Sequence, residues 1–372
     1  MKRSNVRPAL LAAALTGAVA ASAAAQRLDD RGSVVGGAEF RSLSFGSGLG
    51  AKKVRQLAAP FGLVIPAGRF SLDVGSGYAR TTLERSDGTE RTIDGLTDTQ
   101  VRATYTFGQD FVVATAVVNL PTGTSKAPVQ DFSVLGAVSS PFYGFPVNSY
   151  ANGLSVTTGL AVAVPAGEWN IGIAGSVRST KSFTPYVEAG VPFSYDPGLE
   201  GRVRVGADRV VGASRFTVGL TYSTLGTDQF GPTGQATTLY RPGKRWIGEV
   251  SLVAPLGAGS ATFYGWHYQR TSGDSVGTSI GNRERLTSGG VLGRWPVSSG
   301  VTMSLGIVGQ LSSQDAGTGR MVGASGGLEI GLGSRLVFEP TVRYDVGSIG
   351  LKSLPSSSIR GTYLAAFVRA LF

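Results

Sequence analysis

The chain is 372 residues long, with charged side chains at only 16% of positions, 55 glycines and a formal net charge of +10. It has no cysteine, which excludes disulfides and thiol chemistry, and one histidine, which excludes a histidine-based metal cluster. Lysines and arginines are spread singly rather than in runs, so the basic balance fits an anionic surface or an anion-attracting interior rather than a nucleic-acid site.

The first predicted element is a leader. Lys2, Arg3 and Arg7 precede a short apolar run from Ala9 to Ala20, and Ala21-Ser22-Ala23-Ala24-Ala25 offers small residues for cleavage before Gln26. This pattern predicts a secretory signal peptide over 1–25 and leaves 26–372 as one exported domain. No later run reaches the ~20 apolar residues of a transmembrane helix. If this chain sits in a membrane it does so as a closed β-barrel, the other structure that satisfies its own backbone there.

From Gly32 onward, segments alternate apolar and polar residues, the period of a β-strand. They lie at 34–45, 54–65, 68–84, 98–107, 111–120, 152–164, 169–180, 199–209, 214–226, 243–254, 260–271, 284–295, 300–311, 320–332, 334–345 and 360–372. Short connections rich in Gly and Pro, such as Pro165 to Glu168 and Pro255 to Gly259, alternate with longer ones. The long set comprises Gly46 to Lys53, Arg85 to Thr97, Pro121 to Ala151, Lys181 to Gly198, Thr227 to Pro242, Ser272 to Arg283, Ser312 to Gly319 and Val346 to Ser358. The predicted fold is all-β, a transmembrane antiparallel barrel of about 16 strands with short turns at one end and long loops at the other. The first two segments break alternation at Gly36-Gly37 and Ala58-Ala59-Pro60, and assigning both to an N-terminal plug would leave about 14 strands.

Within the segments, charge keeps to one face. Arg102, Arg178, Glu200, Arg202, Arg204, Asp208, Arg215, Arg245, Glu249, Glu329, Arg335, Glu339, Arg343 and Arg369 are predicted to line a wet lumen. There they pair to stiffen the wall, or orient water and select solutes, and their arginine excess favours anionic or neutral ones. Phe107, Trp169, Trp246, Trp295 and Phe372 near segment ends fit aromatic girdles at membrane–water interfaces. The longest connection, Pro121 to Ala151, carries Phe132, Leu135, Phe142, Tyr143 and Phe145 and a single carboxylate, Asp131. Such a loop is expected to pack in the barrel mouth as a constriction and to favour hydrophobic or aromatic substrates. His267 is expected on the lumen face, opposite Tyr264, Trp266 and Tyr268. No motif surrounds it, so no catalytic residue, metal or cofactor is assigned and the chain is not expected to be an enzyme. A lipid-cleaving enzyme would need His267 beside a serine at the membrane boundary.

The last stretch carries Leu364, Ala366, Val368, Ala370 and Phe372 on one face and Tyr363, Ala365, Phe367, Arg369 and Leu371 on the other. It resembles the closing strand of bacterial outer-membrane β-barrels, whose terminal Phe belongs to the signal read by the barrel-insertion machinery. The resemblance implies Leu364, Val368 and Phe372 as that signal, and the outer membrane of a Gram-negative-type bacterium as the destination. The loop's place after the fifth strand resembles the constriction loop of sixteen-stranded general porins. Asn119-Leu120-Pro121-Thr122-Gly123 looks like a strand-end motif of barrels encoded with aromatic-degradation pathways, and Tyr195-Asp196-Pro197-Gly198 is similar to the long-chain fatty-acid transporters. The expected function is an outer-membrane channel or transporter for small molecules, hydrophobic or aromatic ones in particular, in contact with outer-membrane lipids and lipopolysaccharide. The alternative is a closed structural or adhesive barrel that binds lipopolysaccharide or a partner through its outer loops. Nucleic acid is not an expected partner.

Overall fold

The computed structural model describes residues 31–108, 111–235, 237–275, 278–280, 283–352 and 354–372. The expected leader, 1–25, lies outside them. Sixteen wall strands follow one another in sequence order: β1 (Ser33–Phe45), β2 (Ala51–Ala67), β3 (Phe70–Arg85), β4 (Glu90–Leu96 with Thr99–Phe107), β5 (Val112–Leu120), β6 (Ser155–Ala166), β7 (Trp169–Thr180), β8 (Glu200–Val211), β9 (Ser214–Leu225), β10 (Arg245–Leu256), β11 (Gly259–Arg270), β12 (Glu284–Ser298), β13 (Val301–Gln314), β14 (Gly317–Leu332), β15 (Leu336–Leu351) and β16 (Ser357–Leu371). The two runs of β4 share one wall position, because both pair with β3, one along its loop-side half and one along its turn-side half. Every wall strand is antiparallel to its neighbours, and β16 returns to β1 with Ser33 to Phe45 in register against Leu371 to Ile359. The chain is therefore a closed sixteen-stranded β-barrel.

Both early segments belong to the wall, so the fourteen-stranded alternative does not hold. Their broken alternation has a local cause. Pro60 has no N–H to donate, and the β1–β2 ladder skips from Gly36–Phe61 to Glu39–Ala58 without slipping register.

Alternation sorts the side chains into two environments. Outward-facing Leu160, Ile173, Val203, Leu220, Ile307 and Val342 each remain 45% to 63% exposed, and the other strands add similar residues. An apolar belt of this extent, uncovered by the chain itself, suits lipid and not water, which makes the barrel a transmembrane one. Paired rings edge the belt: Trp169 with Phe216 at the turn end (centroids 6.1 Å apart) and Tyr222 with Trp246 at the loop end (4.3 Å). At the turn end, two-residue connections close most of the hairpins. Gly167 and Gly212 hold φ of 63° and 59° at the first turn position, a left-handed conformation that glycine enters without a Cβ penalty.

The wall is uneven in height. β2, β3 and β12 to β16 run 14 to 17 residues, while β5 to β11 run 9 to 12. Above the low side stands a second sheet, a collar formed by Ala127–Pro128, Phe183–Glu188, Val191–Asp196, Asp228–Pro232, Thr238–Arg241, Gly273–Ser275 and Thr278–Ile280. On the high side four connections expected to be long are short, because β2 starts at Ala51, Glu90–Leu96 pairs back on β3 across 86–89, β13 and β14 meet across Asp315-Ala316, and β15 runs on to Leu351. The residues there, among them Lys52, Ser313 and Thr318, extend strands above the apolar belt, where polar residues and glycines interrupt the alternation and the period-two signal fades.

Candidate functional site

The loop between β5 and β6 folds into the barrel. One carboxylate gathers its two stems: Asp98 accepts hydrogen bonds from the backbone N–H of Gly123 (2.9 Å) and of Asn152 (2.6 Å), and from Asn119 Nδ2 (2.8 Å). Between the stems a short helix, α1 (Phe132–Ser139), leads to a 3-10 turn over Pro141–Tyr143, which Gly144 ends in a left-handed conformation at φ 62°. Polar clasps fix the descending segment. The Arg41 guanidinium donates to the Tyr143 carbonyl from Nε (3.2 Å) and Nη2 (3.1 Å) and pairs with Asp345 through Nη1. Gln56 donates to the Val147 carbonyl and accepts from the Val147 N–H, both at 2.8 Å, so its amide completes a two-way bond with the backbone. The hydroxyls of Tyr150 and Thr81 lie 2.7 Å apart. Burial keeps the Tyr143 and Tyr150 phenols above their ordinary range, so both are neutral hydrogen-bonding groups.

Around these clasps the interior is dry. Val134, Val138, Phe142, Phe145 and Tyr150 of the loop bury against inward-facing Leu43, Val54, Ala58, Ala79, Leu83, Ile93, Leu286, Met321 and Ile359 of the wall. Leu135 and Tyr143 pack against this cluster partly buried. Phe132 points the other way, meeting Tyr186 of the collar at 4.3 Å between centroids, and Tyr186 stacks on Phe193. The loop thus reaches from the high wall to the collar. Tyr150, together with Arg41, Gln56 and Leu43, was missed in the sequence. Their one signal is apolar side chains at inward positions of β1 to β3, on the face assigned to charge.

Away from the loop the interior is charged and partly accessible. Arg102 pairs with Asp73 (2.5 Å), Arg202 with Glu200 (2.8 Å), Arg215 with Asp208 (3.0 Å) and Arg369 with Glu339 (2.7 Å), while Arg343 reaches the buried Asp345 (2.7 Å) beside Arg41 at the plugged end. Arg204 pairs with Glu249 and Arg294 with Glu329. Arg178 faces Glu200 across the β7–β8 pair, and its Nε donates to Ser155 Oγ at 3.3 Å. Arg204, Arg215, Arg245, Arg294 and Arg369 keep 12% to 35% of their side chains accessible, against 2% for Arg41 beneath the loop. That difference separates an accessible charged interior from the buried end beneath the loop.

Two expectations change. Arg335 precedes β15 in the turn after β14 and is exposed, so it is not part of the wall lining. His267 faces outward: it sits opposite Gly248 and Thr287, with Nδ1 2.8 Å from Thr287 Oγ1. Register decides this, since Tyr264, Trp266 and Tyr268 lie opposite Ser251, Glu249 and Ile247 on the inner face. Leu364, Val368 and Phe372 lie on the outer face, 46%, 46% and 59% exposed.

No family model matches the chain, and no curated protein matches it in sequence. Among solved structures, a mutant of the TodX monoaromatic hydrocarbon channel is similar at a TM-score of 0.47 and 10% identity, over 92% of this chain and 91% of that one. The outer membrane channel DcaP of Acinetobacter baumannii is similar at 0.43 and 11% identity, over 92% and 97%. OmpT, an outer membrane protein of Vibrio cholerae, is similar at 0.39 and 12% identity, over 92% and 99%. At such scores the likeness adds no argument, and the fold rests on the chain's own strand pairing.

Proposed function

We propose that this protein is an outer-membrane channel that passes small molecules passively through its lumen, under the control of the folded-in loop. The observation that carries the reading is the contrast inside the barrel, an accessible charged interior below and an apolar plug clasped by Arg41, Gln56 and Asp98 at its loop end. Above the buried plug, Val129 and Phe132 of the loop, 40% and 38% exposed beside the collar rings, present apolar surface to arriving solutes and favour hydrophobic or aromatic ones. Export by the leader, insertion read from Leu364, Val368 and Phe372, and loops facing outward to lipopolysaccharide complete the proposal. It gives the chain no catalytic role.

Release from vesicles tests it. Proteoliposomes of the folded barrel should release small aromatic solutes faster than sugars of equal size, and empty vesicles should show neither rate. Equal release with and without protein would defeat the channel reading. A second reading, a closed structural barrel, draws on the same clasped loop, and it predicts that even a barrel with a shortened loop passes nothing.

A further inference from the structure

A belt of four arginines crosses the lumen wall just inside the collar, and a ladder of aromatic rings descends from it. Arg178 faces Glu200 across β7 and β8, Arg202 pairs with Glu200 at 2.8 Å, Arg245 faces Arg270 across β10 and β11, and Arg270 reaches Glu284 at 3.5 Å. Four guanidinium groups thus share one short row of the wall with Glu200 and Glu284. Arg245 lies 3.9 Å from Glu200, beyond a good hydrogen bond, and its buried Nε has no hydrogen-bond partner. Two arginines in direct cross-strand register repel each other unless an anion lies between them.

From Arg270 the inner face of β11 continues through Tyr268, Trp266 and Tyr264. Alternate residues of a strand lie roughly 7 Å apart, so the three rings make a track about 14 Å long. Trp266 and Tyr268 touch the apolar cluster of the plug, so the track starts where the loop ends. Below them Tyr264 has room because its neighbour on β12 is Gly290, where a Cβ would meet the Tyr264 hydroxyl at 2.8 Å. All three residues are only partly buried.

We infer that this belt and ladder form a recognition site for aromatic carboxylates, the carboxylate bridging Arg245 and Arg270 and the ring lying on Tyr268 and Trp266. Guanidinium groups hold a carboxylate through paired, charge-assisted hydrogen bonds, and an aromatic ring prefers offset or edge contact with another ring. An inorganic anion gains only the first interaction and a neutral aromatic only the second. This deepens the channel reading by naming a solute class, and it rests on that reading for the conclusion that bound solute is cargo.

Benzoate is the probe, and binding is read separately from transport. Benzoate titrated onto the folded barrel in detergent should quench tryptophan fluorescence saturably, with acetate and benzyl alcohol each much weaker. In the double variant Arg245→Gln with Arg270→Gln, benzoate binding should weaken about tenfold, the scale of losing charge-assisted bonds. Trp266→Ala should remove most of the quench and also weaken binding, read by the ability of benzoate to block chloride current. Equal binding of acetate and benzoate, or an unchanged affinity in the folded double variant, would overturn the site. Saturable benzoate binding to a barrel that passes no current would support the site while defeating the channel reading, so the two fail separately.

Discussion

Arg41 carries two tasks at once: it neutralises Asp345 inside the wall and holds the Tyr143 carbonyl of the loop. Removing one partner of a buried pair costs about 3–5 kcal/mol, and the lower end applies here because Arg343 still reaches Asp345. Arg41→Met should therefore loosen the loop while the barrel stays closed. Limited proteolysis checks this, with faster cleavage within 121–151 and unchanged heat-modifiable gel mobility. Cleavage at the wild-type rate would contradict it. Gln56→Leu removes both bonds to Val147 and strands that backbone amide in an apolar setting, a loss of about 1–3 kcal/mol. Hydrogen exchange at Val147 should rise by about tenfold or more, with β2 protection kept.

At the scale of elements, the seam between β1 and β16 closes the barrel, and one glycine makes it possible. A Cβ at Gly37 would meet the Ala366 carbonyl oxygen at 2.4 Å and the Phe367 Cα at 2.9 Å, so backbone itself would have to shift. Gly37→Val should abolish the heat-modifiable folded band in refolding assays, whereas Gly36→Val, where a Cβ meets nothing within 4 Å, should fold. Equal folding of the two would contradict the seam's tight packing. These elements differ in how far the sequence announced them. Most wall strands were legible because each repeats one period across a half-lipid, half-water wall, whereas the first two, which break that period, stood between wall and plug, and Glu90–Leu96 read as loop. The collar strands were not, since runs such as Thr238–Arg241 are too short for a period and sit in water on both sides. Helix α1 escaped too: its eight residues are apolar all round, and it owes its shape to burial between the wall and the collar. Phe142, Tyr143 and Phe145 were legible as plug residues because an apolar loop has nowhere else to go, but their clasps at Arg41 and Gln56 lie about a hundred residues away and depend on closure. His267 was assigned to the wrong face because its aromatic neighbours read as lipid-facing, whereas they line the lumen.

For the whole molecule, the account holds that a hydrated lumen is throttled by one folded-in loop. That claim separates a channel from a structural barrel, and single-channel conductance tests it most directly. The folded protein would be compared in planar bilayers with a variant whose residues 129–148 are replaced by a short Gly-Ser linker. The account predicts small discrete steps for the parent and several-fold larger steps for the variant, both from barrels with folded gel mobility. Folded barrels that give no steps in either form, or steps of equal size in both, would contradict it.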